Sequence, residues 1–336
     1  MATPGAPQSY RKDKAALSPS AIRRILIVRP NHRLGNMLLI TPLVEETATL
    51  FPEAAIDVFV KGGAAFAIFT NNRSIDRIIA LPRKAFRHIL TYLAVWIRLK
   101  ARRYDLVINA IPYSSSGKLA TRLARAPFKC MGEPGAQVPP DAVHTAKAPV
   151  YALRAYLRAH GWKLDLQSPV PPMDIRLTAA EKQRGKAALA QLLGKNADRP
   201  ILALFTYATG AKCFSSEWWK PLYRQLQETF PDYAIMEVLP AENVSQIDFE
   251  APAFYSRDLR EIGGLLRGTA LFVGADSGMM HLASASGART LGLFSVTDAD
   301  RYAPYGHGSR ALVVKDTATD SCLSAITDML RAPAAQ

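Results

Sequence analysis

The chain has 336 residues, of which 49% are hydrophobic and 21% charged, so it is longer than one hydrophobic core usually serves and can bury two. All of its apolar runs are too short to cross a bilayer. Residues 1–20 lack the apolar core of a secretory signal, and we expect them to form a disordered leader. The net charge of +14 predicts an anionic partner, which is a nucleic acid, an acidic membrane surface or a phosphorylated substrate.

The first half alternates short apolar strands with helices. Strands are predicted at 23–29, 56–60, 75–81 and 105–110. The first strand leads into a loop at 30–36, which an apolar helix follows. This strand, loop and helix order is typical of a doubly wound α/β domain.

A basic helix is predicted over residues 83–103. Its apolar residues form a broad face that we expect to pack on the core, and its Lys and Arg residues cluster at the two ends. Charged ends of this kind suit an anionic membrane surface or a phosphorylated lipid.

Three prolines stiffen residues 166–174, which we interpret as a linker between two domains. The predicted units are a leader at 1–20, an N-terminal acceptor-binding domain at 21–165, the linker at 166–174, a C-terminal nucleotide-sugar-binding domain at 175–318, and a final helix with its tail at 319–336. The second half begins with Thr178 and Glu181, spaced as the capping box of a helix. Strands at 201–207 and 233–240 then precede loops that carry Thr209, Lys212 and Glu242.

Residues 270–285 combine a strand, a tight polar turn and a helix. Asp276 and Ser277 are both of the type that caps a helix, and Gly278 permits a ligand to approach the backbone. The backbone amides from Ser277 to Met280, including that of Met279, should therefore bind an anion such as phosphate. His281 lies in the first helical turn and offers a side-chain donor to the same oxygens.

Two segments resemble glycosyltransferase family 9, the lipopolysaccharide heptosyltransferases. The C-terminal match to its donor-binding pattern consists of Gly274, Asp276, Ser277, Gly278, His281, Leu282, Ala283, Gly287, Phe294, Thr297, Asp298, Pro304, Tyr305 and Gly306. The N-terminal match consists of Gly35, Leu38, Leu39, Thr41, Pro42, Leu43, Phe51, Pro52, Ala54, Ile56 and Asp57. The resemblance implies an α/β fold of two doubly wound Rossmann-like domains facing across a cleft, the GT-B arrangement, with the last helix packing back across that cleft.

The resemblance also implies roles for individual residues. Lys212 would contact the donor diphosphate with Thr209 nearby, and Glu242 would bind the ribose hydroxyls. The turn and helix start, Asp276 to Met279 with His281, would hold the nucleotide. No Asp-x-Asp is suitably placed to hold a metal with the diphosphate, so we expect no metal and no cofactor beyond the ADP-sugar donor.

Position 36 departs from the family pattern, since this chain has Asn36 where the family has the aspartate taken to be the general base. An amide cannot accept a proton in that role. Three interpretations remain: another group such as His32 supplies the base, the loop only positions the acceptor hydroxyl and the reaction is slow, or the protein binds a nucleotide sugar without transferring it.

The function that this resemblance implies is inverting, metal-independent transfer of a heptose or related sugar from an ADP-sugar to an anionic lipopolysaccharide core acceptor. The enzyme would lie in the cytoplasm, peripheral to the inner face of the cytoplasmic membrane. The main alternative is a catalytically impaired GT-B protein that binds nucleotide sugar or acts as a partner or regulator of another protein. Nucleic-acid binding is a weaker interpretation of the charge, because the basic residues are spread over helices and match no known motif.

The three cysteines are scattered without C-x-x-C spacing: Cys130, Cys213 and Cys322. They favour a reducing compartment and indicate neither disulfides nor a zinc site.

Overall fold

The computed structural model describes residues 17, 19–84, 87–133, 138–314 and 319–332. They form two parallel β-sheets flanked by helices, one sheet in each half of the chain. The predicted pair of doubly wound α/β halves is therefore confirmed. Within the described residues, no helix has the length and apolar character that crossing a membrane requires.

The first sheet has five parallel strands in the order β3-β2-β1-β4-β5. The strands are β1 Arg24–Arg29, β2 Ala55–Lys61, β3 Ile75–Leu81, β4 Leu106–Asn109 and β5 Phe128–Cys130. The helices of this half are α1 Leu34–Leu38, α2 Thr41–Leu50, α3 Ala64–Phe69, α4 Ile89–Ala101, α5 Ser115–Leu123 and α6 Ala148–Ala159. The chain order reverses at β1, so the carboxyl ends of β1 and its neighbours form one edge at which a ligand is expected.

The side chains of β1 alternate between two apolar layers. Ile25 and Ile27 belong to the cluster that contains α2 and α6, whereas Leu26 and Val28 belong to the cluster under α4 and α5. This alternation follows from the two-residue period of a strand. It places both faces of the sheet in apolar surroundings, as parallel sheets require.

The second sheet has six parallel strands in the order β11-β10-β9-β6-β7-β8. Its strands are β6 Ile201–Phe205, β7 Ala234–Val238, β8 Ala253–Phe254, β9 Leu271–Ala275, β10 Thr290–Phe294 and β11 Arg310–Val313. Its helices are α7 Ala179–Leu193, α8 Ser216–Thr229, α9 Leu259–Leu266, α10 Gly278–Ala285, α11 Ala299–Tyr302 and α12 Asp320–Arg331. The capping box predicted for α7 is present: Thr178 accepts from the Glu181 amide, and the Glu181 carboxylate accepts from the Thr178 amide at 2.7 Å.

The loop predicted at 30–36 is shorter than expected, since α1 begins at Leu34 and contains both Gly35 and Asn36. The single helix expected after it is broken near Ile40, and Pro42 opens α2. Proline has no amide hydrogen and fixes φ, so it is favoured in the first turn of a helix and interrupts a helix that reaches it from the N-terminal side.

The apolar face of α4 does not pack on the core as the sequence pattern suggested. Val95 and Leu99 are buried against the sheet, but Ile89, Leu90 and Ile97 are exposed. Apolar residues occur on both sides of this helix, so the pattern could not show which side the sheet covers.

The last helix also differs from its expected place. Cys322, Ile326 and Met329 of α12 pack in the same cluster as Trp219 of α8, on the second sheet. The expectation that this helix crosses the cleft is wrong. Because α12 carries an apolar stripe at i, i+4 and i+7, any adjoining apolar surface can bury it, and the nearest is that of its own sheet.

The predicted linker is fixed by hydrogen bonds at its start. Arg154 of α6 forms a two-pronged ion pair with Glu46 at 2.6 and 2.9 Å, and its guanidinium also donates to the carbonyls of Ser168 and Pro169. One apolar cluster continues from the first half into the second. The exact domain boundaries stay a prediction, and the one at 318 lies outside the described residues.

Most of the predicted disordered leader, residues 1–16 and 18, also lies outside the described residues. Leu17 is buried, and its carbonyl accepts a hydrogen bond from the Trp162 indole at 2.7 Å. The disorder expected for this segment therefore does not extend to Leu17.

Candidate functional site

A cleft of about 1120 Å³ lies between the two halves, at the carboxyl ends of the central strands. All of the site residues named from the sequence line it: His32, Asn36, Thr209, Lys212, Glu242, Asp276, Ser277, Gly278, Met279 and His281. Ligands of doubly wound sheets bind at this edge, so the position agrees with the topology. The role of each residue stays a prediction.

The start of α10 presents free backbone amides to the cleft. Ser277 is the N-cap, and its hydroxyl accepts a hydrogen bond from the Met280 amide at 3.3 Å. The amides of Gly278 and Met279 have no acceptor among the described residues. Of the four amides expected to bind an anion, these two remain available together with that of Ser277, which likewise has no acceptor among the described residues, whereas that of Met280 is already satisfied by the cap.

Asp276 does not cap α10, contrary to the sequence interpretation. Its carboxylate is nearly buried and accepts hydrogen bonds from the Lys212 ammonium at 2.5 Å and the Thr297 hydroxyl at 2.7 Å. These partners stand 64 and 21 residues away in sequence, so the local pattern could not reveal them. Asp276 thus holds Lys212 beside the α10 N-terminus and fixes where its positive charge lies.

His281 is buried in the first turn of α10, and its Nδ1 has no hydrogen-bond partner. Burial lowers the pKa of its imidazole to about 4, with smaller contributions from Asp276, which raises it, and from His144 and Lys212, which lower it. His281 is therefore neutral at neutral pH. Its imidazole can donate one hydrogen bond but adds no positive charge, and its contact with a ligand stays a prediction.

Two glycines allow the halves to approach closely at this point. A Cβ on Gly35 of α1 would lie 2.9 Å from Cδ2 of His281, and one on Gly278 would lie 3.0 Å from Cβ of Leu34. Both distances are shorter than ordinary carbon contacts. The absence of side chains at these positions brings the N-terminal wall against the helix start that carries the free amides.

The N-terminal wall of the cleft is cationic. His32, Arg33 and Arg83 line it, and among the described residues the cleft's two carboxylates, Glu242 and Asp276, both come from the second half. The pKa of His32 is lowered by desolvation first and then by Arg83, with further contributions from Lys61 and Arg33. A lowered pKa keeps the His32 imidazole neutral at neutral pH, which a proton acceptor requires.

Asn36 lies against a buried arginine that sequence reasoning did not identify. Arg29, the last residue of β1, is 1% exposed, and its Nη2 donates to Oδ1 of Asn36 at 3.0 Å. No carboxylate pairs with Arg29 among the described residues, and its Nε has no partner. Burial lowers the pKa of this guanidinium to about 10.

This contact fixes the orientation of the Asn36 amide. A guanidinium has only donors, so the amide oxygen must face Arg29 and the amide nitrogen faces away from it. Asn36 lines the cleft, so it offers that wall a donor rather than a base.

The remaining predicted residues, Thr209 and Glu242, are exposed on loops after β6 and β7. Both positions follow the carboxyl end of a strand, as expected. Tyr302 also lines the cleft and was not singled out from the sequence. It is the last residue of the short helix α11, and its local sequence gives no sign of a ligand site.

Comparison with known proteins identifies the family. Residues 92–330 match the family model described as glycosyltransferase family 9 (heptosyltransferase). The chain belongs to glycosyltransferase family 9. A search of curated protein sequences finds no significant match.

Solved structures share the fold of this glycosyltransferase. A family 9 glycosyltransferase from Veillonella parvula is 15% identical with a TM-score of 0.69, over 91% of this chain and 89% of that chain. The E. coli heptosyltransferase WaaC with ADP is 18% identical with a TM-score of 0.65, over 91% and 99%. The E. coli ADP-heptose heptosyltransferase II is 16% identical with a TM-score of 0.61, over 91% and 98%. These likenesses agree with the GT-B arrangement implied by the sequence.

Proposed function

We propose that this glycosyltransferase moves a heptose or related sugar, with inversion and without a metal, from an ADP-sugar to an anionic lipopolysaccharide core acceptor. The observation that carries the proposal is the convergence of Lys212 and the free amides of Gly278 and Met279 on one end of the cleft. Positive charge and fixed amide donors at this point stabilise a departing diphosphate. The ADP named in the WaaC structure is a donor product of the same class.

The acceptor would lie against the opposite wall. Arg33 and Arg83 give that wall positive charge, and it has no carboxylate among the described residues, which suits an anionic core saccharide. In this arrangement His32 takes the proton of the acceptor hydroxyl, the hydroxyl oxygen attacks the anomeric carbon, and the bond to the diphosphate breaks. Attack from the side opposite the leaving group inverts the anomeric centre.

The leaving diphosphate carries negative charge, and groups of the protein can stabilise it. An ammonium has three donors, and Asp276 occupies one of those on Lys212, so two remain for phosphate oxygens. We propose that Lys212, together with the amides and His281, stabilises the diphosphate without a cation. Glu242 and Thr209, which line the same cleft, would contact the nucleoside side of the same ligand.

The alternative function is nucleotide-sugar binding without transfer. The contact between Arg29 and Asn36 favours it, because the amide at position 36 turns a donor toward the cleft where a base would need an acceptor. A protein with this defect would keep the donor site intact. Donor binding and transfer therefore need separate measurements.

The test combines the full-length protein with ADP-heptose and a core acceptor and measures released ADP. His32→Ala and Asn36→Asp are compared with the wild type, and calorimetry measures ADP binding in each. If His32 is the base, we expect His32→Ala to lower transfer by about 10² to 10⁴-fold while ADP still binds.

Each outcome distinguishes one reading. Transfer that appears only in Asn36→Asp identifies a binding protein with a degraded catalytic site. Transfer by the wild type that His32→Ala leaves unchanged removes His32 from the mechanism. Failure of the wild type to bind ADP or any ADP-sugar rejects the proposed function.

A further inference from the structure

We infer that the exposed face of α4 and α5 is a membrane-docking surface, which seats the protein on an anionic lipid bilayer with the cleft at the bilayer surface. The inference locates on the chain the peripheral membrane contact expected from the sequence, and it rests on the proposed function only for the direction in which the cleft faces. We call this face the α4–α5 surface; its members are Arg87, Ile89, Leu90, Leu93, Ile97, Arg98, Lys100, Tyr113, Lys118, Leu119, Arg122 and Leu123.

Large apolar side chains project from this surface into solvent. Leu90 is 80% exposed and Tyr113 is 85% exposed, and Ile89, Leu93 and Ile97 form a stripe at i, i+4 and i+8 along α4. Leu119 and Leu123 extend the apolar surface onto α5, which packs beside α4. Single exposed apolar residues are common, but an adjoining set on two helices marks an interaction surface.

The charge of the chain is concentrated in the same segment. Residues 82–129 contain eleven Lys and Arg residues and one acidic residue, Asp105, so this segment carries ten of the fourteen net positive charges. The Asp105 carboxylate accepts from the amides of Arg23 and Arg24 at the opposite end of the sheet from the cleft. The α4–α5 surface itself has no carboxylate.

Apolar side chains flanked by cations match the chemistry of an anionic bilayer. Aliphatic side chains enter the boundary between head groups and acyl chains, while Lys and Arg contact the lipid phosphates. A nucleic acid fits less well, because Tyr113 is the single aromatic ring of the α4–α5 surface that is free to stack on a base, and the rings of α4 are not. Tyr92 and Trp96 are half-buried, and Trp96 packs on Phe59 with ring centroids 5.4 Å apart.

The surface lies next to the cleft. β3 and β4 are parallel to β1, so the segments that follow them leave the sheet at its carboxyl edge. Arg83, just after β3, lines the cleft, and α4 begins six residues later at Ile89. Tyr113, just after β4, leaves the sheet at the same edge. A bilayer against this end of α4 and α5 would therefore meet the N-terminal wall of the cleft, where an acceptor attached to lipid would enter.

Flotation of the full-length protein with lipid vesicles tests the inference without any sugar substrate. Vesicles of phosphatidylethanolamine with phosphatidylglycerol are compared with vesicles of phosphatidylcholine alone. We expect binding to the anionic vesicles only, and weaker binding as salt rises. Equal binding to both compositions would overturn the inference.

Paired variants locate the contact on the chain. Arg87→Gln with Arg98→Gln should weaken binding by roughly 25-fold, since each cation near such a surface is worth about fivefold. Lys182→Gln with Lys186→Gln, on the exposed side of α7, removes the same charge from the other half and should weaken binding by less than about threefold. Equal losses in the two variants would show that net charge, and not this surface, binds the lipid.

A second pair tests the apolar part. Leu93→Gln should weaken binding about tenfold, whereas Phe249→Gln, a residue of similar exposure in the second half, should not change it. Both side chains are exposed, so neither change should alter the thermal unfolding midpoint. If Leu93→Gln instead abolishes a dimer of the wild type in solution, the surface is an interface between copies and the inference is wrong.

The proposed function and this inference can fail independently. A protein that binds ADP and transfers sugar, yet ignores anionic vesicles, keeps the function and loses the docking surface. A protein that binds the vesicles through Leu93 and Arg98 without binding ADP keeps the surface and loses the function.

Discussion

Replacing Lys212 by alanine should damage both the chemistry and the stability of the protein, for one structural reason. The Lys212 ammonium lies 2.5 Å from the Asp276 carboxylate, whose side chain is 6% exposed. Without Lys212 the carboxylate keeps one donor among the described residues, the Thr297 hydroxyl at 2.7 Å. The substitution therefore removes a charge from the donor site and leaves a buried carboxylate incompletely paired.

The two losses have different sizes. Breaking a fully buried ion pair costs about 3–5 kcal/mol, but the Lys212 side chain is 34% exposed, so we expect a loss of about 1–2 kcal/mol of unfolding free energy. Removing one preorganised donor from a developing anion costs about 2.7–4 kcal/mol of transition-state stabilisation, or 10² to 10³ in rate. Transfer should thus fall far more than stability.

Measurement of ADP release and of chemical unfolding on the same samples separates the two effects. Lys220→Ala is the matched control, because Lys220 is 31% exposed and pairs with Asp248, which is 63% exposed on the surface. That control should lose less than about 1 kcal/mol and keep its activity. Combining Lys212→Ala with Asp276→Asn should recover stability but not transfer. Unchanged turnover in Lys212→Ala would refute the assigned role of this lysine.

Two further substitutions test the packing of the cleft. Since burial lowers the pKa of His281 to about 4 from about 6.5 unfolded, its contribution to stability is complete above pH 6.5 and is lost as pH falls, by about 2 kcal/mol at pH 5. His281→Gln should therefore show a smaller loss between pH 7.5 and pH 5 in thermal unfolding, and equal losses would contradict the assignment. Gly35→Ala should destabilise the protein by about 1–3 kcal/mol, because its Cβ would meet the His281 ring at 2.9 Å. Gly63→Ala, where no atom lies within 4 Å, should be nearly neutral in the same assay.

The sequence predicted features whose causes are local. The strand, turn and helix around Ser277, and the capping box of Thr178 and Glu181, depend on residues within a few positions of one another, and the structure confirms both. The short strands β5 and β8 were missed, since three and two residues cannot show an alternating pattern.

Features with distant causes were outside the reach of pattern reasoning. Asp276 has the residue type of a helix cap, but its carboxylate accepts a hydrogen bond from the Lys212 ammonium instead of from the amides of α10. The helix α4 has apolar residues on two sides, and the sheet covers the side with Val95 and Leu99. The arrangement of the strands decides which side is covered, and the local sequence does not show it. The residues named from the resemblance line one cleft in the structure, which a family pattern can indicate because it already records such distant contacts.

The contact with Arg29 explains how position 36 can carry Asn where the family pattern has Asp. Arg29 can be satisfied by any oxygen at this point, so an amide keeps the hydrogen bond at 3.0 Å that a carboxylate would make and loses only the charge. The placement of α1 should therefore survive the exchange in either direction. Asn36→Asp would exchange a donor for an acceptor on the cleft side and leave the Arg29 contact in place. Any transfer gained by that variant would consequently report on proton removal, and not on repositioning of the loop.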